Sequence, residues 1–436
     1  MLVSWRIDRI LVALVALAAI GGATIDSFAQ QQDPKRLPVQ KPAKPAPKPP
    51  AGTPKVSAKA AKAEAAARLE ALAPSQIGIG TLAQYAFMID PQTSTVLLFK
   101  DADKPMAPSS MAKMMTVYLL FEDLTAGKLK MDTRFSVSER AYAITRGTHS
   151  STMFLEMTDN PTVQELLQGI IVDSGNDASV AVAEGIAGSE EAFAERMNKK
   201  AKELGLTGSV FKNSSGWPAE GQMVTARDLA LLAWHTINDF PELYKYYAQQ
   251  TFTFNGKTQP NRNLELKRLP GVDGLKTGHT EEGGFGQTTS AVRNGRRLIL
   301  VLNGLGSMAD RASETTRLLE WGFRDSTNTT IFKPGDTVAE APVWLGAQDT
   351  VPLVASRSVQ VTTMTGQAAN ARVVAKFDGP LPAPIVRGTK VGTASVTLPD
   401  GRTIDYPLEA GADVPRKGLL GRVMVLARHY MLGWLS

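Results

Sequence analysis

The sequence predicts an α/β fold in which a sheet is covered by helices, followed by a small all-β domain. Two β-rich runs, 85–90 and 95–100, flank the turn-forming segment 91–94, and β-rich runs return at 271–304 after a long helical block. Strands, helices, strands and a last helix at 309–321 are typical of a sheet with helices packed on it. From about residue 331 to 415, short alternating segments lie between Gly, Pro and Asp turn signals, which predicts a β-sandwich or barrel.

Each element has its own signals. A helix over Met111–Leu124 is predicted because Pro108 and Ser109 precede an apolar stretch and Gly127 follows it, which places Ser110 in the first helical turn. Asn160 and Pro161 indicate a cap and a first helical position for a helix that runs to about Ile171. Helical patterns also cover 189–204 and 225–237.

The first 29 residues have the features of an export signal. Arg6 and Arg9 precede an apolar run at 10–20, and small residues at 27 and 29 form a cleavage site before Gln30. The apolar run is shorter than the roughly 20 residues that span a bilayer, although an uncleaved anchor is the alternative. We therefore expect an exported, periplasmic protein.

Residues 30–74 are rich in Pro, Lys and Ala, a composition that favours extended conformations and predicts a solvated linker. Residues 1–62 hold ten of the 48 basic residues and three of the 42 acidic ones, so the rest of the chain is nearly neutral. The net charge of +6 thus belongs to a tail, and we expect no nucleic-acid partner. The predicted domains are then 75–328 and 329–414, followed by a terminal segment at 415–436.

The terminal segment 418–435 has an amphipathic helical pattern. Its apolar face is formed by Leu420, Val423, Met424, Ala427, Met431 and Trp434. Arg422 and Arg428 lie towards the other face, an arrangement typical of a helix that lies on the cytoplasmic membrane instead of crossing it. Packing on the chain's own β domain is the alternative.

Three short runs carry the chemistry of an acyl-transfer site. Ser110–Lys113 is S-x-x-K, Ser174–Asn176 is S-x-N, and Lys276–Gly278 is the one K-T-G run in the chain. Ser209–Lys212 and Ser326–Asn328 repeat the first two patterns, but only the first set stands in the order S-x-x-K, S-x-N, K-T-G. Order therefore distinguishes the candidate site from chance matches.

The residue types fit serine catalysis without a histidine base. Lys113 lies three residues after Ser110 and can reach its hydroxyl on a helix, and a lysine amine accepts a proton once burial or a nearby cation such as Lys276 has made it neutral. Ser174 can relay a proton, the Asn176 amide can hold a peptide carbonyl, and Lys276 with Thr277 can hold a carboxylate. Gly278 permits a close backbone approach.

Other catalytic classes find little support in the sequence. The chain has no cysteine, which excludes a thiol nucleophile and a disulfide, and its four histidines lack the paired spacing of a metal site. No G-x-S-x-G run surrounds Ser110, so His279 is interpreted as part of the pocket wall. We expect neither a metal nor another cofactor.

The three runs, with their flanks 110–116, 174–178 and 272–280, closely resemble the low-molecular-mass penicillin-binding D-alanyl-D-alanine carboxypeptidases. The resemblance covers the chain from about residue 76 to its end and implies a penicillin-binding, serine β-lactamase-like transpeptidase fold with an antiparallel sheet. It also implies the site: Ser110 as nucleophile, Lys113 as base and Ser174 as relay. Substrate would be bound by Asn176, Lys276, Thr277, Gly278, His279 and Arg262, with the amides of Ser110 and His279 as oxyanion hole.

This resemblance implies hydrolysis of the terminal D-Ala-D-Ala bond of peptidoglycan stem peptides, with β-lactam antibiotics as covalent inhibitors. The alternatives are a D,D-endopeptidase, a β-lactamase of the same superfamily, and an inactive wall-binding scaffold. The β-lactamase is disfavoured because no E-x-x-x-N run lies between Asn176 and Lys276. The long Pro/Lys segment departs from the family pattern.

Overall fold

The computed structural model describes residues 3–6, 79–365, 371–399 and 401–432. They divide into two compact units. The larger unit contains residues 79–331 together with 358–365, and the smaller unit contains residues 3–6, 332–357 and the described residues from 371 onward. Most of the predicted export signal and all of the linker lie outside the described residues.

The helices and strands are numbered here in chain order. The helices are α1 Lys113–Thr125, α2 Glu139–Ala143, α3 Val163–Ile171, α4 Asn176–Ala187, α5 Glu190–Glu203, α6 Ala226–Asp239, α7 Pro241–Tyr244, α8 Glu265–Arg268, α9 Met308–Asp325 and α10 Leu419–Leu432, with 3-10 turns at Ser109–Ala112 and Lys245–Ala248. The strands are β1 Val3–Arg6, β2 Tyr85–Asp90, β3 Thr95–Lys100, β4 Thr251–Phe254, β5 Lys257–Pro260, β6 Val272–Thr280, β7 Gly284–Arg293, β8 Arg296–Leu305, β9 Ser326–Phe332, β10 Thr337–Trp344, β11 Thr350–Ala355, β12 Val359–Met364, β13 Arg372–Lys376, β14 Leu381–Pro382, β15 Lys390–Thr397 and β16 Thr403–Ala410.

The larger unit is built on a five-stranded antiparallel sheet in the order β3-β2-β8-β7-β6. The predicted hairpin at 85–100 is confirmed as β2 and β3, and the strand that carries K-T-G is β6. Because β6 is an edge strand of this sheet, it pairs with β7 on one side only, and it packs against the 3-10 turn Ser109–Ala112. The sheet edge therefore lies beside the nucleophile turn.

Two apolar cores hold the larger unit together. One lies between the sheet and the block of α1 and α3–α6, and it buries α1 on all sides, including Met114, Met115 and Phe121. The other lies between the opposite face of the sheet and α9. Helix α1 is thus a central helix with no solvent-facing stripe over most of its length, which makes its first turn a rigid platform.

The structure corrects two of the predicted helix starts. Ser110 lies in a 3-10 turn just before α1, not in the first α-helical turn. Thr162, not Asn160, caps α3: its side chain accepts a hydrogen bond from the Glu165 amide, and Glu165 reaches back to the Thr162 amide. This capping box outcompetes the Asn-Pro signal because it satisfies two amides at once.

The smaller unit contains a sheet with the strand order β1-β13-β15-β16-β11-β10-β14. The short β-rich segments predicted between about 331 and 415 include β10, β13, β15 and β16, which confirms strands in this part of the chain. The segment 359–364 is also a strand, β12, but it pairs with β9 and groups with the larger unit. The boundary between the units falls within β9.

The chain ends in the predicted helix, α10, of which Leu419, Leu420, Val423 and Met424 are exposed. Trp434 and Leu435 lie outside the described residues. Within the described part of the chain, every helix is too short or too polar to cross a bilayer.

Candidate active site

Ser110 and Lys113 meet at the start of α1. The Lys113 Nζ lies 2.9 Å from the Ser110 Oγ, and the Lys113 side chain is 0% exposed. The same Nζ donates to the Asn176 Oδ1 at 2.7 Å and to the Ser215 carbonyl at 2.6 Å. The three acceptors hold the amine beside the serine hydroxyl.

Burial lowers the pKa of Lys113 from its ordinary value of 10.5 to about 7, although the carboxylates of Asp177 and Glu190 act in the opposite direction. Of the two causes that the sequence offers, burial and a nearby cation, burial is the one that lowers the pKa of Lys113, while Lys113 in turn lowers the pKa of Lys276. A substantial fraction of Lys113 is therefore neutral near neutral pH, as a general base requires.

The first two residues of the S-x-N run lie between α3 and α4. Ser174 has a left-handed backbone with φ 60°, and the Gly175 amide donates to the Gly169 carbonyl. Asn176 begins α4, so its side chain can point back to Lys113. The Asn176 Oδ1 is used by the lysine, which leaves its amide nitrogen to hold a peptide carbonyl.

Lys276 approaches the same turn from β6. Its Nζ donates to the Ser174 Oγ at 2.9 Å, and the side chain is 2% exposed. Burial lowers the pKa of Lys276 well below its ordinary value, and Lys113, Arg262 and Arg311 lower it further. A bound carboxylate would favour the charged form of this group of cations.

Gly278 lies where β6 passes close to the nucleophile turn. A Cβ there would lie 3.0 Å from the Ser109 Cβ and 3.3 Å from both the Met111 Cγ and the Pro108 carbonyl oxygen. Glycine therefore lets β6 approach the nucleophile turn itself. Thr277, next to it, is buried.

His279 is exposed and stacks on Phe285, with ring centroids 3.9 Å apart. Its place in the wall of the substrate pocket stays a prediction. Arg262 lies before α8, where its Nη2 donates to the Gln259 Oε1 at 3.0 Å.

Two features of the site were not predicted from the sequence. Arg311, in the first turns of α9, is buried, and it is one of the cations that lower the pKa of Lys276. Gly216 has φ 78°, and a Cβ there would lie 1.8 Å from the Ser109 carbonyl oxygen. A positive φ is typical of glycine, but local sequence does not reveal which distant backbone segment a glycine contacts.

The second S-x-x-K run, Ser209–Lys212, and the second S-x-N run, Ser326–Asn328, have hydrogen-bond partners outside the candidate site. The Ser209 hydroxyl donates to the Asp228 Oδ2 at 2.6 Å, and Lys212 is exposed. Asn328 accepts from Thr362 and donates to Gln92. Neither run contributes a side chain to the cluster around Lys113.

Comparison with known proteins agrees with this geometry. A family model described as D-alanyl-D-alanine carboxypeptidase matches residues 72–306, and one described as penicillin-binding protein 5, C-terminal domain, matches residues 327–416. The chain is 38% identical over 360 residues to D-alanyl-D-alanine carboxypeptidase DacC of Escherichia coli strain K12. This alignment covers 80% of this chain and 89% of DacC.

Solved structures give the same result. Penicillin-binding protein 5 from Haemophilus influenzae has a TM-score of 0.69 and 34% identity, covering 79% of this chain and all of that one. Penicillin-binding protein D2 from Listeria monocytogenes in its cefotaxime-bound form has a TM-score of 0.53 and 28% identity, covering 57% of this chain and all of that one. The fold, the three runs and these matches together establish that the chain belongs to the D-alanyl-D-alanine carboxypeptidase family.

Proposed function

We propose that this protein is a serine-type D-Ala-D-Ala carboxypeptidase that removes the terminal D-alanine from peptidoglycan stem pentapeptides. The observation that carries the proposal is the buried Lys113 amine, with a pKa of about 7, at 2.9 Å from the Ser110 Oγ. A neutral amine at this distance can take the serine proton as the hydroxyl attacks the substrate carbonyl. The bond from the carbonyl carbon to the leaving nitrogen then breaks and leaves an ester on Ser110.

The leaving amine needs a proton, and Ser174 supplies it. Its hydroxyl already accepts a hydrogen bond from Lys276, so it can donate its own proton towards D-alanine and be reprotonated from Lys113. Water then attacks the ester and frees the shortened stem. The amides of Ser110 and His279 are proposed as the donors to the oxyanion.

The terminal carboxylate of the substrate is held by the cations at the end of the cleft. Lys276, Thr277 and Arg262 are the proposed ligands, and Arg311 adds a buried guanidinium to this region. β-Lactam antibiotics acylate Ser110 because they imitate the D-Ala-D-Ala end.

The carboxylates near Lys113 argue against rapid turnover of β-lactams. Asp177 accepts hydrogen bonds from the Thr152 hydroxyl and from the amides of Met153 and Leu155. Both oxygens of Glu190 are also used, by Ser214 and by Arg140. Neither acid is free to activate a deacylating water, so the carboxypeptidase is favoured over a β-lactamase.

We further propose that the protein is exported through residues 1–29 and attached peripherally to the cytoplasmic membrane by residues 415–436. Support comes from the exposed apolar side chains of α10 and from the export pattern of the first residues.

The test of the catalytic proposal uses a fluorescent penicillin and a pentapeptide that ends in D-Ala-D-Ala. The parent protein should be labelled and should release D-alanine, while Ser110→Ala should do neither. Ser209→Ala, in the second S-x-x-K run, is the matched control and should behave like the parent. Labelling of Ser110→Ala, or no D-alanine release by the parent, would overturn the proposal.

A further inference from the structure

One buried carboxyl group beside the site has no role in the mechanism above. Asp173 comes immediately before Ser174 and is 1% exposed. Its Oδ1 has no hydrogen-bond partner among the described residues. A buried acceptor without a partner costs free energy, so such a group calls for an explanation.

Arg262 lies close enough to lower the pKa of this carboxyl group, and it too has unused hydrogen-bonding capacity. Its Nε is buried and has no partner among the described residues, while its Nη2 donates to the Gln259 Oε1. Gln259 in turn donates to the Thr152 carbonyl at 2.8 Å, which ties β5 to the segment held by Asp177. The Arg262 guanidinium is therefore held by a hydrogen bond at Nη2, while its Nε–H has no acceptor among the described residues.

The charge of Asp173 is set by the groups that face it. Burial raises its pKa from the ordinary 3.8 to about 7; Arg262 and the Gln259 amide lower it, and Asp177 on α4 raises it. From β6, Lys276 contacts the neighbouring Ser174 and is itself influenced by Arg262. Asp173 is thus mostly neutral below neutral pH and mostly ionised above it.

We propose that Asp173 is a positioning residue whose ionisation controls whether Arg262 is available to the terminal carboxylate of the substrate. When Asp173 is neutral, it does not compete for the guanidinium, which then binds the substrate carboxylate. When it is ionised, it pairs with the guanidinium and competes with the substrate carboxylate for the same donors. This inference rests on the proposed function, in which Arg262 binds that carboxylate.

The consequence is tighter binding of D-Ala-D-Ala ends in mildly acidic surroundings. Catalysis changes in the opposite direction, because Lys113 must lose a proton to act as base. Affinity and turnover are therefore expected to respond oppositely to pH, which separates the role of Asp173 from that of the base.

The test measures binding without turnover, in Ser110→Ala proteins, by calorimetry from pH 6 to 8.5 with diacetyl-L-Lys-D-Ala-D-Ala. Three further proteins add Asp173→Asn, Arg262→Gln or the control Asp132→Asn, which makes the same change at an exposed site. Lys113 titrates in every protein, so the ratio of each Kd to that of the Ser110→Ala protein is compared at each pH. The protein with Asp173→Asn should bind about fivefold more tightly than its parent at pH 8.5 and equally at pH 6.

For the control Asp132→Asn, the Kd ratio should stay at about one over the whole pH range. For the protein with Arg262→Gln, the Kd ratio should be larger at pH 6 than at pH 8.5. The change removes the group through which Asp173 acts, so the affinity lost is greatest where Asp173 is neutral. This variant also decides the question if Asp173→Asn does not fold. Amidation of the peptide's C-terminus should abolish the effect of Asp173→Asn.

Constant ratios across the pH range for both Asp173→Asn and Arg262→Gln would overturn the inference. Failure of the proposed function would look different: the protein with Ser110 intact would not be labelled by fluorescent penicillin, and no variant would bind the peptide.

Discussion

The amine of Lys113 and the hydroxyl of Ser110 lie 2.9 Å apart, and the amine is completely buried. In the proposed mechanism, this pair allows a lysine to activate the serine in place of a histidine. The reaction would then depend on the protonation state of one lysine, whose pKa of about 7 lies within the physiological range.

The rate of acylation should therefore follow the titration of Lys113. Labelling by penicillin should rise about tenfold per pH unit below pH 7 and level off above it, because only the neutral amine accepts the serine proton. Lys113→Arg keeps the charge at every pH and should lower the rate by at least about 100-fold. Lys212→Arg, in the second S-x-x-K run, is the control. A pH-independent rate, or wild-type labelling of Lys113→Arg, would contradict the assignment of the base.

Ser174→Ala should lower kcat for D-alanine release by about 100-fold, with a smaller change in KM. The hydroxyl that receives the Lys276 hydrogen bond is lost, and with it the relay to the leaving amine. Steady-state kinetics on the pentapeptide measure both constants. Ser313→Ala, on the exposed face of α9, serves for comparison. Unchanged kcat in Ser174→Ala would exclude a relay through this residue.

Gly216→Ala should disturb the nucleophile turn, whereas Gly127→Ala should not. Both glycines have positive φ, but only at Gly216 would the added Cβ meet another backbone segment, the Ser109 carbonyl at 1.8 Å. Gly127→Ala should cost about 1 kcal/mol of unfolding free energy through backbone strain alone. Gly216→Ala should cost about 2 kcal/mol more and lose most penicillin labelling. Urea unfolding and labelling rates check both, and equal effects of the two changes would contradict the packing argument.

Removal of residues 416–436 should release the protein from membranes while peptide hydrolysis persists. The exposed apolar side chains of α10 are those expected to enter the membrane interface. Co-sedimentation with vesicles that contain anionic lipid measures binding, and D-alanine release from soluble peptide measures activity. Retention of the truncated protein on membranes would instead point to an uncleaved N-terminus.

Much of the site could be predicted because its parts are local. Ser110 and Lys113 are three residues apart, and a helical turn brings them together regardless of the rest of the fold. Ser174, Gly175 and Asn176 are likewise adjacent in the chain, and residues of these types favour a turn next to a helix end. The predicted cap of α3 at Asn160 was wrong because two capping signals compete in this segment. Only the folded geometry shows that the capping box at Thr162 is formed.

The electrostatics of the site could not be predicted in the same way. The sequence left open whether burial or a neighbouring cation would lower the pKa of Lys113, and in the folded structure burial is the cause. The buried amine donates to Asn176 and Ser215, which lie 63 and 102 residues further along the chain. Arg311 carries no motif at all, and only the tertiary structure brings it close enough to lower the pKa of Lys276.

The sequence by itself determined the reacting groups, their order along the chain and the strands and helices that carry them, because hydrogen bonding and side-chain periodicity within an element act over a few residues. The tertiary structure decided how completely the Lys113 amine is buried, how closely β6 approaches Ser109, and which cations gather around Lys276. These depend on desolvation and on close packing between segments far apart in the chain, and neither effect is encoded in any single stretch.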